Sequence, residues 1–309
     1  MPAVQQALPN LKRVDDISEL MDIVIFGFDV FINGLHSGLL YVLIALGLTI
    51  IFSILNIVNF AHGEFYMLGA FTILYIAGLW NIKYFLALVM CMLIVGLIGV
   101  FFERLFFARA KGRLVPIIIV AVGLMWILQT AAQIIFGRQP RGMAEVFQGS
   151  VSFLHVNISY SRLMAAVISV VLVGALYFFV YRTRLGRAMQ AVAQDREAAA
   201  LQGINIDRLG TMGFGLGCAL AGVAGGIMAP IFFIEATMGL DALAKSMAII
   251  ILGGLGSIPG AALGGLILGL VESYGQTFLG YPATVLPFVI IVLVLLFRRT
   301  GLMGRSTVV

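Results

Sequence analysis

Charge is what this sequence has least of. Lysine, arginine, aspartate and glutamate make up 11% of its 309 residues, against about 25% in a soluble domain. So few charges cannot cover the surface of a water-soluble fold, so lipid must be the main solvent. Cysteine occurs twice, at Cys91 and Cys218, both inside apolar runs. That excludes a disulfide framework and a CxxC pair. The three histidines, His36, His62 and His155, fall in separate segments with no ligand spacing, so no metal site is expected. The GxxxxGK(S/T), HExxH and GxSxG patterns are all missing. With them go nucleotide binding through a phosphate loop and the common hydrolase chemistries. No catalytic residue and no cofactor is therefore expected in this chain. Residues 1–22 are polar and mixed in charge (Lys12, Arg13, Asp15, Asp16, Glu19). They lack the basic start, short apolar core and cleavage site of a signal peptide, so no cleavage is expected.

What is present is hydrophobic. Apolar residues make up 61% of the chain and the mean hydropathy is +1.10. A helix needs about 20 apolar residues to cross a bilayer. Runs of that kind fall at 34–55, 60–80, 84–107, 114–136, 160–181, 209–233, 259–281 and 283–298, with a shorter one at 246–258. Open sheets cannot span lipid, and the runs are too uniformly apolar for barrel strands. The expectation is an all-α polytopic transmembrane bundle of about eight to nine spans, with broken or re-entrant helices, in one domain over 1–309. Residues 1–30 form an N-terminal extension.

The net charge of +5 does not point to nucleic acid, because the basic residues sit in short stretches between apolar runs. Arg104, Arg109, Lys111 and Arg113 form one group, and Arg182, Arg184, Arg187, Arg196 and Arg208 another. Arg298, Arg299 and Arg305 form a third. Lys83, Arg138, Arg141, Arg162 and Lys245 fall on the other side. Cytoplasmic loops carry the excess of lysine and arginine, so 103–113, 182–208 and the C-terminus are expected in the cytoplasm. Alternation over nine spans leaves the N-terminus outside.

Two places break the apolar pattern. The first runs from Asn56 to Glu64 and includes Asn59, His62 and Gly63. Asn59 is a plausible N-cap there, with Glu64 in the first turn of the following helix. The second holds Gly253, Gly254, Gly256 and Pro259. Breaks at membrane depth are tolerated only where protein or a water-filled cavity covers the freed backbone groups. Asn56, Asn59, His62, Gly63 and Glu64 are therefore candidates for a translocation pathway, with Gly253, Gly254 and Gly256 opposite. Glu272 lies deep in an apolar run and is a further candidate, either as a functional group or as an interhelical hydrogen-bonding one. Small residues at helical spacing, such as Gly213, Gly217, Ala221 and Gly225, point to tight helix packing. The 182–208 segment is alanine-rich. Asp195 is placed to cap a helix from Arg196, and Gly203 to end it. It reads as a helical module presented to a cytoplasmic partner.

Several strings stand in order: Asn59-Phe60-Ala61-His62-Gly63-Glu64, Gly186-Arg187-Ala188, Ala193-Gln194-Asp195, Gly203-Ile204-Asn205 and Gly253 through Ala261. Together they resemble the permeases of high-affinity branched-chain amino acid ABC importers of the Liv type, over roughly residues 30–305. The resemblance implies an inner-membrane, multi-pass subunit in a bacterium. It implies a second, related permease subunit, two cytoplasmic ATPase subunits that bind the ATP, and a periplasmic substrate-binding protein. It matches the 186–205 segment to the loop that docks on an ATPase, with Gly186, Arg187, Asp195, Ala198, Ala199 and Gly203 as coupling residues. The same layout serves urea and short-chain amide importers. A proton-coupled secondary transporter using Glu272 and His62 is the reading from a different class.

Overall fold

The computed structural model describes residues 17–110, 112–153, 156–298 and 300–304. Residues 1–16 of the expected N-terminal extension lie outside the described residues, as do Lys111, His155, Arg299 and Arg305. The described residues are mainly helical, with one short hairpin of β1 (Ser150–Phe153) and β2 (Val156–Ser159). The helices are α1 (Ile17–Leu55), α2 (His62–Ile73), α3 (Tyr84–Phe102), α4 (Leu114–Phe136) and α5 (Tyr160–Arg182). Then come α6 (Arg184–Gln194), α7 (Arg196–Leu201), α8 (Ile206–Met228), α9 (Met238–Gly253), α10 (Ile258–Leu279) and α11 (Leu286–Phe297). Wider π-helical turns extend α2 to Leu79 and α3 to Phe107.

Among the described residues, six helices are long and apolar enough to cross a membrane: α1, α3, α4, α5, α8 and α10. This is an all-α polytopic bundle. Its first helix begins at Ile17 rather than near residue 34, because Ile23–Phe26 continue the apolar run and the amide of Asn33 donates to the side chain and carbonyl of Asp29 one turn before it. The segment 17–30 is thus part of the first helix. The apolar run expected at 246–258 is also redrawn. Helix α9 starts eight residues earlier and carries Lys245 inside it, so Lys245 is not a loop residue.

The centre of the bundle is α1 and α8, which bury 78% of their most apolar stretches, against 28% for α4 and 22% for α5. Glycine is the reason α8 can be central. A side chain at Gly225 would overlap the Tyr66 carbonyl of α2, and one at Gly217 would meet Ile51 of α1. Small residues let backbones approach this closely. Helix α10 lies along α1 in the same way, with Gly269 against Gly38. Ser273 Oγ there donates to the Val30 carbonyl at 2.7 Å.

These contacts sort the chain ends. Thr211 Oγ1 donates to Glu103 Oε2 at 2.7 Å, joining the start of α8 to the end of α3. Gly256 packs on Ser53, and Leu302 N donates to the Leu252 carbonyl at 2.9 Å. One end of the bundle therefore gathers Arg104, Arg113, the 182–208 segment and the tail. At the other end Tyr84 Oη donates to the Gly226 carbonyl at 3.1 Å, and Arg141 bridges to Ile234.

Candidate functional site

A cavity of about 740 Å³ opens at the end of the bundle away from the basic segments. Helical spacing builds it. On α1 the lining residues include Phe26, Val30, Asn33, Ser37, Tyr41 and Ile44, and on α10 Gly269, Glu272 and Gln276. Steps of three and four residues keep one helix face turned inward. Helix α9 adds Met238, Asp241 and Lys245 by the same rule.

The deep part of the cavity is polar and tightly bonded. Lys245 Nζ donates to Glu272 Oε1 at 2.8 Å and to Tyr41 Oη at 2.6 Å. The same ammonium lies 4.6 Å from the centre of the Tyr41 ring, within cation–π range. Gln276 Nε2 donates to Glu272 Oε1 at 3.0 Å. Glu272 is thus paired across helices, the default role for a carboxylate at membrane depth. Its second oxygen, Oε2, is buried and accepts no hydrogen bond among the described residues. Nearer the mouth, about 12 Å along α1 at 1.5 Å per residue, Arg162 Nη1 donates to Asn33 Oδ1 at 2.7 Å. His36, also buried, lines the cavity between the two levels.

Of the pathway candidates read from the sequence, Glu272 lines this cavity and the other eight do not. Asn56 ends α1 in the left-handed region at φ 53°, a conformation asparagine adopts more readily than most residues. The chain then doubles back through 56–61, and α2 begins beside Ile44 and Gly47 rather than at the bundle's end. His62 Nε2 hydrogen-bonds the Ile44 carbonyl at 3.0 Å. Eleven residues of helix separate Ile44 from Leu55, a rise of about 16 Å, so this non-helical stretch lies at membrane depth. It is tolerated because protein covers its inner end: Asn59 and Ala61 are buried, as are His62 and Glu64 at the start of α2, while Asn56 at its outer end is exposed.

Asn59 does not cap α2. Its Oδ1 accepts from Ala61 N at 3.1 Å, two residues on, which holds the turn before the helix. Glu64 does occupy the first turn. Its carboxyl lies against Gly239, and Gly63 packs on the same strip of α9. This layer sits directly behind the cavity wall, since Ile44, Met238 and Asp241 line the cavity.

Gly253, Gly254 and Gly256 lie at the basic end. Gly254 has φ 104° and lies against Gly304 and Thr300 of the tail. Gly253 packs on Gly260 across the turn into α10. The glycine-rich string is a tight connection between two helices, with the tail folded onto it.

The coupling candidates lie together at that end. Thr183 accepts from Gly186 N at 3.0 Å and starts α6. Asp195 caps α7 through Glu197 N and Ala198 N, both at 2.9 Å. Gly203 follows α7 with φ 79°. Arg187 and Ala198 are exposed, whereas Ala199 is buried inside the chain's own packing. Leu201 is 87% exposed. Among the described residues no group of three histidine, cysteine or acidic side chains is placed to hold a metal ion.

Sequence reasoning missed Lys245 and Tyr41. The signal available was a lysine one turn after Asp241, leading into the apolar run Met247–Leu252. A buried carboxylate such as Glu272 calls for a partner of opposite charge.

Residues 30–297 match the family model described as branched-chain amino acid transport system / permease component. The chain is 35% identical, over 90% of its length and 95% of the relative's, to the high-affinity branched-chain amino acid transport system permease protein BraD of Pseudomonas aeruginosa. It is 33% identical to the corresponding permease protein LivH of Escherichia coli, over 89% and 95% of the two chains. A fructose import permease protein of Rhizobium meliloti is 32% identical, over 62% of this chain and 56% of its own. No solved structure gives a significant match.

Proposed function

Since the chain belongs to the branched-chain amino acid transport permease family, we propose that it is the membrane-spanning permease subunit of an ATP-driven importer for branched-chain or other hydrophobic amino acids. The observation that carries this reading is the end-to-end match to relatives named for that transport. The cavity supports it, because a site of several hundred Å³ with a few polar groups among apolar walls suits a small ligand.

The finer parts of the reading follow from chemistry. The basic end faces the cytoplasm by the lysine and arginine rule, so the cavity opens to the periplasmic side and the C-terminus is cytoplasmic. Counting α9 and α11 as crossings gives eight, and α2 with its re-entrant lead makes a ninth. The partners are a second permease subunit, two ATPase subunits at the 182–208 face and a periplasmic binding protein over the cavity mouth. Substrate enters beside Glu272. The buried layer of Asn59, His62, Gly63 and Glu64 closes the route behind it, and Asn56, Gly253, Gly254 and Gly256 frame the cytoplasmic exit. No phosphate-binding loop exists in this chain, so ATP is hydrolysed elsewhere.

Deletion of the gene tests this. Uptake of labelled leucine, isoleucine and valine should fall, and that of urea should not. Unchanged amino acid uptake, or uptake by the intact system that collapses with an uncoupler at constant ATP, overturns the proposal.

A further inference from the structure

The ion pair at the base of the cavity is built to be opened. Each of its two charges has a second, neutral partner that stays when the bond between them breaks. Lys245 keeps Tyr41, through the 2.6 Å hydrogen bond and the ring face. Glu272 keeps Gln276 at 3.0 Å. The pair is also unevenly covered: the Lys245 side chain is 28% exposed and that of Glu272 10%. Glu272 Oε2 accepts no hydrogen bond among the described residues. A buried pair needs its remaining lone pairs satisfied to offset desolvation, and this one leaves an acceptor over.

We propose that the cavity recognises the zwitterionic head of an amino acid by ion-pair exchange, the ligand's carboxylate binding Lys245 and its ammonium binding Glu272. The proposal rests on the importer reading above and adds the site and the reason for its selectivity. Charge is conserved through the exchange. One internal pair becomes two pairs with the ligand, so neither buried charge is left alone. A ligand with one charge does leave one alone. The wider field of the cavity does not make this choice, because Asp29, Glu235, Asp241 and Glu272 outnumber Arg162 and Lys245. That acidic excess favours any amine. Exchange favours the carboxylate as well, since Lys245 gives up the ion pair it makes with Glu272 at 2.8 Å once Glu272 has turned to an ammonium. Ile44, Tyr66 and Met238 line the same cavity and offer apolar surface to the ligand's hydrocarbon chain.

The test uses the full chain and two independent readouts. The first is Lys245→Met/Glu272→Leu in the complete transport system. Replacing a buried ion pair with apolar residues of similar size is often neutral for folding, so the variant should reach the membrane at the normal level. Leucine uptake should fall roughly 100-fold, the scale expected when buried charge pairs with a ligand are lost. The second readout is thermal stabilisation of the purified wild-type chain in lipid nanodiscs by leucine, leucinamide (which lacks the carboxylate) and 4-methylpentanoate (which lacks the ammonium). Only leucine should stabilise. Equal stabilisation by either analogue overturns the exchange, as does no effect of leucine at concentrations that saturate uptake. Uptake by the double variant within threefold of wild type overturns it too, while leaving the importer reading intact. Failure of the wild-type system to take up any amino acid overturns that reading itself.

Discussion

Gly239→Ala tests the buried layer behind the cavity. A Cβ at Gly239 would lie 2.8 Å from Glu64 Cδ and Oε1, and 2.9 Å from Oε2. Real side chains do not approach so closely, so either the carboxyl or the backbone of α9 must move. The carboxyl has little freedom, since Glu64 is 1% exposed and α2 is held against α8 through Gly225 and the Tyr66 carbonyl. Overpacking of this kind costs about 1–3 kcal/mol. At roughly 2–4 °C per kcal/mol in a chain of a few hundred residues, the apparent Tm should fall by several degrees. Glu64→Ala removes the obstructing atoms. It also empties an enclosed site, Glu64 being 1% exposed, so it carries a cavity cost of its own. The double variant should then lose less than the two single variants together. That predicts a coupling energy of about 1–2 kcal/mol in the rescuing direction, within the range for residues in contact. The assay is thermal unfolding of the purified protein in detergent, with all four chains in one lipid-to-detergent ratio. Additive losses in the double variant would refute the contact, and with it the placement of α2 against α9.

Three further outcomes are expected. Leu201→Asp should leave membrane insertion intact but reduce co-purification of the ATPase subunits, because an apolar side chain exposed at the bundle's basic end is placed for a helix-in-groove contact; undiminished co-purification removes Leu201 from that surface. Asp195→Ala should destabilise α7 by about 0.5–2 kcal/mol through loss of its cap, read as faster hydrogen exchange at Glu197 and Ala198, with Asp195→Asn close to wild type. A membrane-impermeant thiol reagent added outside should modify cysteine at Ser37 but not at Ala198; the opposite pattern reverses the topology.

The sequence by itself determined the solvent, the class and the helical character of the 182–208 segment. Low charge and long apolar runs leave only helices in lipid, because backbone groups must be bonded internally there. Caps are equally local. Asp195 and Gly203 were legible because a capping bond spans two or three residues. The family resemblance was legible for a related reason, since short strings at the two breaks carry it. Tertiary structure alone decided what those breaks do. Asn59, His62 and Glu64 look like polar groups facing a route, yet α1, α8 and α9 bury them. The glycines from Gly253 to Gly256 look like a break at membrane depth and form a connection at the bundle's end. The cavity was the least legible feature. Tyr41, Lys245 and Glu272 are separated by 204 and 27 residues, and their meeting depends on how three helices rotate about their axes. That rotation is set by where glycines allow backbones to touch, as Gly38 and Gly269 do for α1 and α10. A helix's own periodicity fixes which residues share a face, but not which neighbour that face will meet.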